Sequence, residues 1–220
     1  SYTTAPLPSL ESPGVALVFG NEVIVRDGTN TVYAFDQSTG EWRWQVSRDK
    51  PKKFSAAGES PLFLASGSVY VGLSDGTVLC LDASNKGKLL WELDLGGNTE
   101  GFRDVDANFT FYRQYLSAVS VSTGIALVDI RQGRVKARFA RPLIVTQASV
   151  DAHLLLGDGN GEVYRLDPDR NQVVWRSRFS RESGAPQTLI VMDQLVFVSF
   201  PRGGLVALHT DTGQAAFGLD

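Results

Sequence analysis

Short runs of alternating apolar and polar residues recur along the whole chain, and each breaks at a cluster of Gly, Asp, Ser or Asn. Residues 61–65, 68–73, 77–82 and 89–94 form one such group of four. Alternation with period two, rich in β-branched and aromatic side chains, predicts strands with one face toward a core. The turn between the second and third runs contains Gly in every group: residues 27–30, 74–76, 122–124, 158–161 and 201–204. Glycine there supplies the positive φ that tight hairpins require. No segment carries a helical period, and evenly spaced short strands predict a barrel, sandwich or propeller.

The groups share a phrase. It is clearest as VYAFDQSTGEWRW at residues 32–44, and it returns as VLCLDASNKGKLLW at 78–91 and VYRLDPDRNQVVW at 163–175. Weaker copies are IALVDIRQGRVKA at 125–137 and LVALHTDTGQAAF at 205–217. The anchor residues Asp36, Asp82, Asp129, Asp167 and His209 recur about every 40 residues, the spacing of a repeat architecture. Four strands per unit of that length predict an all-β fold, a β-propeller of four-stranded antiparallel blades with five repeat units. The units fall at approximately 14–47, 60–96, 106–140, 147–180 and 187–220, read as a single propeller domain over residues 1–220. Within each phrase the Asp is expected to hold the following turn through backbone amides. Trp44, Trp91 and Trp175 are expected to spread against the neighbouring blade. Looser packing is expected where Ala137 and Phe217 replace the Trp.

Composition narrows the possibilities. A hydrophobic share of 43% with 22 Gly and 9 Pro suits a packed, turn-rich protein. A net charge of -3 without a basic face disfavours nucleic acid, and the basic run at residues 48–53 is read as a solvated loop. Cys80, the lone cysteine, excludes an internal disulfide and a cysteine-built zinc site, and is read as packed within a strand. No apolar run reaches the ~18 residues of a membrane helix, so no transmembrane segment is expected. The chain starts at Ser1 rather than Met, which suggests a processed or trimmed form, and residues 1–10 are expected to offer an outer strand.

Ala34, Asp36, Gly40 and Trp44 match Ala-x-Asp-x-x-x-Gly-x-x-x-Trp, and from about residue 14 onward the chain resembles the quinoprotein-type, PQQ-like propeller repeat. That repeat serves enzymes and scaffolds alike. Two linkers point further: residues 54–61, FSAAGESP, and residues 103–106, RDVD. They are similar to segments of the BamB family, propeller lipoproteins of the outer-membrane β-barrel assembly machine. The resemblance implies a non-enzymatic scaffold without cofactor or metal, on the periplasmic face of the outer membrane, peripheral to it if lipidated upstream. It implies a protein partner, the barrel-forming component of that machine. It also implies partner contacts at Phe54, Ala56, Ala57, Gly58, Glu59, Arg103, Asp104 and Asp106. The chain departs from the family where Ala57 stands in place of an Arg and Ala56 in place of a larger apolar residue. Losing the Arg removes a fork of donors. Family members usually have eight blades against the five units here, so the chain is either a shortened propeller or part of a longer one.

Other constellations are weaker. His209 occupies an anchor position and is read as a turn residue, while His153 has no motif around it, so no catalytic residue is assigned. Residues 158–162, DGNGE, superficially look like the start of a calcium loop but fall on a hairpin turn. PQQ-dependent dehydrogenases carry paired adjacent cysteines that a single Cys80 cannot supply. Arg138, Arg141, Arg176, Arg178 and Arg181 cluster near the last strands of two units, where charge discourages edge-to-edge pairing. The alternatives to a scaffold are a small-ligand-binding or PQQ-type propeller enzyme, and an adhesion or sensor module.

Overall fold

Five four-stranded antiparallel sheets, each running in chain order, make up the computed structural model among its described residues, 16–27, 31–47, 60–96, 105, 107–120 and 122–219. Blade one holds β1 (Leu17–Phe19), β2 (Glu22–Arg26), β3 (Thr31–Asp36) and β4 (Trp42–Ser47). Blade two holds β5 (Phe63–Ala65), β6 (Ser68–Gly72), β7 (Thr77–Asp82) and β8 (Lys88–Asp94). Blade three holds β9 (Thr110–Tyr112), β10 (Tyr115–Ser120), β11 (Gly124–Asp129) and β12 (Arg134–Phe139). Blade four holds β13 (Ile144–Val150), β14 (His153–Asp158), β15 (Glu162–Asp167) and β16 (Gln172–Arg178). Blade five holds β17 (Thr188–Met192), β18 (Leu195–Phe200), β19 (Gly204–His209) and β20 (Ala215–Leu219). The expected start of the fourth unit shifts from residue 147 to Ile144. The blades group into two compact units, Ser1–Asp106 with blades one and two, and Ala107–Asp220 with blades three to five.

In the first unit, Ile24, Val32, Ala34 and Trp44 of blade one pack on Val69, Val71, Leu79 and Leu81 of blade two. In the second, blade four is covered on both faces. Leu154 and Leu156 meet blade three, while Leu155 and Val163 meet blade five. Successive residues of a strand point to opposite faces, so burying both faces makes β14 and β15 almost continuously buried. The single buried face expected for the middle strands is therefore corrected. One-sided alternation survives on the fourth strands, as in β16, whose outer edge is exposed.

Four of the five anchors hold their turns as expected. Asp36 Oδ1 accepts from the Ser38 and Thr39 amides at 2.8 and 2.9 Å. Asp82 accepts from the Ser84 amide, Asp129 from Arg131 and Gln132, and Asp167 from Asp169 and Arg170. In blade five, backbone bonds close the turn, His209 N to Gln214 O and Gly213 N to His209 O. The hairpin glycines Gly76, Gly124, Gly161 and Gly204 all have positive φ, as their turns require.

Each phrase also contains a β-bulge. The third-to-fourth strand register shifts between Ala34 and Phe35, Cys80 and Leu81, Leu127 and Val128, Arg165 and Leu166, and Ala207 and Leu208. The extra residue lies on the fourth strand just before the Trp position. A bulge bends its strand and re-aims the next side chain. Trp44 thereby reaches the corner between β7 and β8, where a Cβ on Gly87 would lie 2.6 Å from its ring. Trp175 reaches the corresponding corner of blade five, where a Cβ on Gly213 would lie 2.4 Å away. Their indole N–H groups donate to Glu22 Oε2 at 2.9 Å and to Thr210 O at 2.7 Å. Phe217, in the weakest copy, stays 44% exposed and meets Phe197 edge-on. Ala137 is half-buried against the core of blades three and four.

Candidate partner-binding surface

Described residues that enter or leave the blades bond to the turns that join second and third strands. Leu95 donates its amide to Gly76 O, Gly159 to Leu143 O, Phe179 to Gly161 O and Arg202 to Ser183 O. This follows from the meander, because the second hairpin turns at the end of the blade where the fourth strand leaves. These described residues are thus held against hairpin turns, a common placement for binding residues.

Phe54, Ala56, Ala57, Gly58, Glu59, Arg103, Asp104 and Asp106 lie outside the described residues. The described residues that adjoin them, Ser60 and Val105, are almost fully buried, at 2% and 0% exposure. They converge on one point. A Cβ on Gly72, the last residue of β6, would lie 2.6 Å from Val105 Cγ1 and 2.9 Å from Ser60 Cβ. The Val105 amide donates to Leu73 O at 3.2 Å. From blade one, the buried Arg26 donates through Nη1 to Gly72 O at 2.6 Å and to Ser60 O at 3.3 Å. One guanidinium therefore ties β2, β6 and the end of the linker that enters β5 together. Blade four repeats the packing, with Gly157 beneath Pro186 and Thr146. Sequence reasoning missed Arg26, Ser60, Gly72 and Val105 as a group. The available signal was Gly72 itself, a glycine inside an apolar strand, which marks close approach by another segment.

The remaining sequence candidates resolve into structural roles. His153 Nδ1 lies 3.0 Å from Arg165 Nη2. Arginine only donates, so Nδ1 accepts and the imidazole proton sits on Nε2. Burial, then the Arg165 charge, push the His153 pKa down, keeping the ring neutral. Arg165 also donates to Thr210 O at 2.9 Å and Asp211 Oδ1 at 2.8 Å, bracing blade four against blade five. Cys80 is buried beside Tyr70, and burial raises its thiol pKa, as for an unreactive core thiol. In the segment that looks like a calcium loop, Asp158 Oδ1 accepts the Asn160 and Glu162 amides at 2.9 and 3.0 Å, which is turn chemistry. Among the described residues, no three His, Cys, Asp or Glu side chains are grouped as metal ligands. Among the same residues, no helix is long and apolar enough to cross a membrane. Arg176 and Arg178 do more than line an edge, because both engage the buried Glu162.

Comparison with known proteins places this arrangement. A family model described as "Outer membrane protein assembly factor BamB" matches residues 8–177 and 142–218. The outer membrane protein assembly factor BamB of Yersinia pestis is 25% identical over 226 residues, covering 89% of this chain and 53% of the relative. The chain thus spans about half the length of that curated relative. Among solved structures, BamB from Moraxella catarrhalis aligns with TM-score 0.61 at 20% identity, over 83% of this chain and 68% of that one. The quinohemoprotein alcohol dehydrogenase from Comamonas testosteroni aligns with TM-score 0.76 at 17% identity, over 94% and 42%. The computationally designed Ika8 protein aligns with TM-score 0.60 at 15% identity, over 93% and 73%. At these identities the structural matches show the fold, a propeller of PQQ-like blades, and the dehydrogenase and the designed protein share it alike. The family model covers most of the sequence, and the chain belongs to the BamB family of outer membrane protein assembly factors.

Proposed function

We propose that the protein is a non-enzymatic interaction scaffold of the periplasm, associated with the outer membrane, that assists assembly of outer-membrane β-barrel proteins. In this reading residues 1–220 work as one scaffold whose inter-blade linkers contact the barrel-forming component of the assembly machine. Asp104 and Asp106 accept hydrogen bonds from, or pair with, basic groups of that partner, and the segment from Phe54 to Glu59 adds a second contact. The observation that carries the proposal is the convergence of Ser60 and Val105 over Gly72, braced by Arg26. It gives the two segments adjacent fixed points on one blade, so a single partner surface can engage both. Preorganised attachment lowers the ordering cost of binding.

The test is recovery of the barrel-forming partner from envelope extract by the tagged chain. Asp104→Ala with Asp106→Ala is expected to reduce that recovery by about tenfold or more, since charged groups lost from an interface commonly cost upwards of 2 kcal/mol. Undiminished recovery with both substitutions removes the assignment of these residues.

A further inference from the structure

A cavity of about 520 Å³ opens in blade four, between the linker that follows β12 and the hairpin joining β14 to β15. Its walls carry three arginines, Arg141, Arg176 and Arg178, against the carboxylates of Asp158 and Glu162. Asp158 Oδ1 is already committed to its own turn. Glu162 is buried at 8% side-chain exposure and shared by two guanidinium groups. Arg178 Nε donates to its Oε1 at 2.8 Å, and Arg176 Nη1 lies 3.2 Å from its Oε2. The two arginines stay 51% and 75% exposed, and Arg178 also engages Oε1 through Nη2. Arg141 Nε is shielded from solvent and makes no hydrogen bond.

Each guanidinium carries five N–H donors in a planar fork suited to a carboxylate, and the three together exceed what the carboxylates of Asp158 and Glu162 can accept. Arg176 also lies over the Tyr164 ring at 5.6 Å, a cation–π contact. Burial pushes the Tyr164 phenol up to about 12, so it adds no negative charge. Pro142 and Phe179 give the cavity apolar wall beside its charge, and the volume exceeds that of a single small anion. Apolar wall next to surplus guanidinium donors suits a side chain that carries methylenes behind its carboxylate.

We propose that this cavity binds the carboxylate of an acidic side chain presented by a protein partner, with Arg141, Arg176 and Arg178 as its donors and Glu162 as the internal carboxylate that competes for two of them. The site lies in the unit that begins at Ala107, away in sequence from residues 54–59 and 103–106, and does not depend on their assignment. The test is fluorescence anisotropy of a labelled tetraglutamate peptide with the full chain, against a tetraglutamine peptide and against inorganic phosphate as competitor. Arg176→Gln with Arg178→Gln is expected to weaken the tetraglutamate about tenfold or more, as loss of charge-assisted forks should. Arg134→Gln with Lys136→Gln, an equal charge change on exposed positions of β12, is expected to change it less than about twofold. Glu162→Gln releases both guanidinium groups and is expected to tighten binding about threefold or more, a gain that misfolding cannot produce. Equal losses in the two double variants, or Glu162→Gln without any gain, overturn the proposal. Phosphate binding without peptide binding overturns it as well, in favour of a free-anion site.

Discussion

Gly40 and Gly87 occupy the same turn in consecutive blades, with φ of +71° and +68°, and differ in what faces them. A Cβ on Gly40 meets nothing within 4 Å among the described residues. A Cβ on Gly87 would lie 2.6 Å from Trp44 Cζ3 and 2.7 Å from Cε3. Either Gly→Ala change forces an L-residue into the left-handed region, at about 1–2 kcal/mol. At Gly87 the methyl must also displace the ring by about 1 Å to reach an ordinary carbon contact of roughly 3.5–4 Å. Trp44 is 4% exposed and packed into the core of its unit, so that displacement is an overpacking cost of about 1–3 kcal/mol. Gly87→Ala is therefore expected to destabilise by about 2–5 kcal/mol and Gly40→Ala by about 1–2 kcal/mol. Thermal melts resolve this, since each kcal/mol moves Tm by about 2–4 °C at this chain length. In a Trp44→Ala background, itself about 3–5 kcal/mol less stable, the extra penalty at Gly87 should vanish, because contacting residues couple. Equal melting shifts for the two glycine variants would refute the idea that the tryptophan seats on the next blade's turn.

Two further predictions concern charge. Asp36 accepts from Arg43 and from two turn amides, which hold its carboxyl well below the usual carboxylate range. A depressed folded pKa gives stability that is present above the unfolded value, about 3.9, and lost as pH falls through the folded one. Denaturation midpoints should show Asp36→Asn less stable than the natural chain at pH 7, with the gap closing in acid; a gap independent of pH contradicts this. Arg26→Met keeps the apolar stem but leaves the Ser60 and Gly72 carbonyls without that donor. Unpaired buried groups cost about 1–3 kcal/mol, and a Tm unchanged by this substitution would show that the brace is dispensable.

The blades were legible because the information is local. Asp36, Gly40 and Trp44 lie within one phrase, and each acts on its own turn or on the equivalent turn of the next copy. The bulge was hidden because hydrophobic pattern carries no register, and the insertion of Arg43 between Trp42 and Trp44 emerges only when β4 pairs with β3. Continuous burial of β14 was missed for a related reason, since HLLLGD does not say that a blade covers each face. The arginines near β16 read as edge protection because their partner, Glu162, lies on β15 and is opposed only across the sheet. Ser60 and Val105 are far apart in sequence, and their meeting over Gly72 follows from how the blade closes on its linkers.

Calorimetric titration of the purified chain against the periplasmic domains of the barrel-forming partner tests the central claim most directly. Saturable one-to-one binding that Asp104→Ala with Asp106→Ala weakens about tenfold or more is the predicted result. No binding by the natural chain, or an affinity the two substitutions leave untouched, would contradict it.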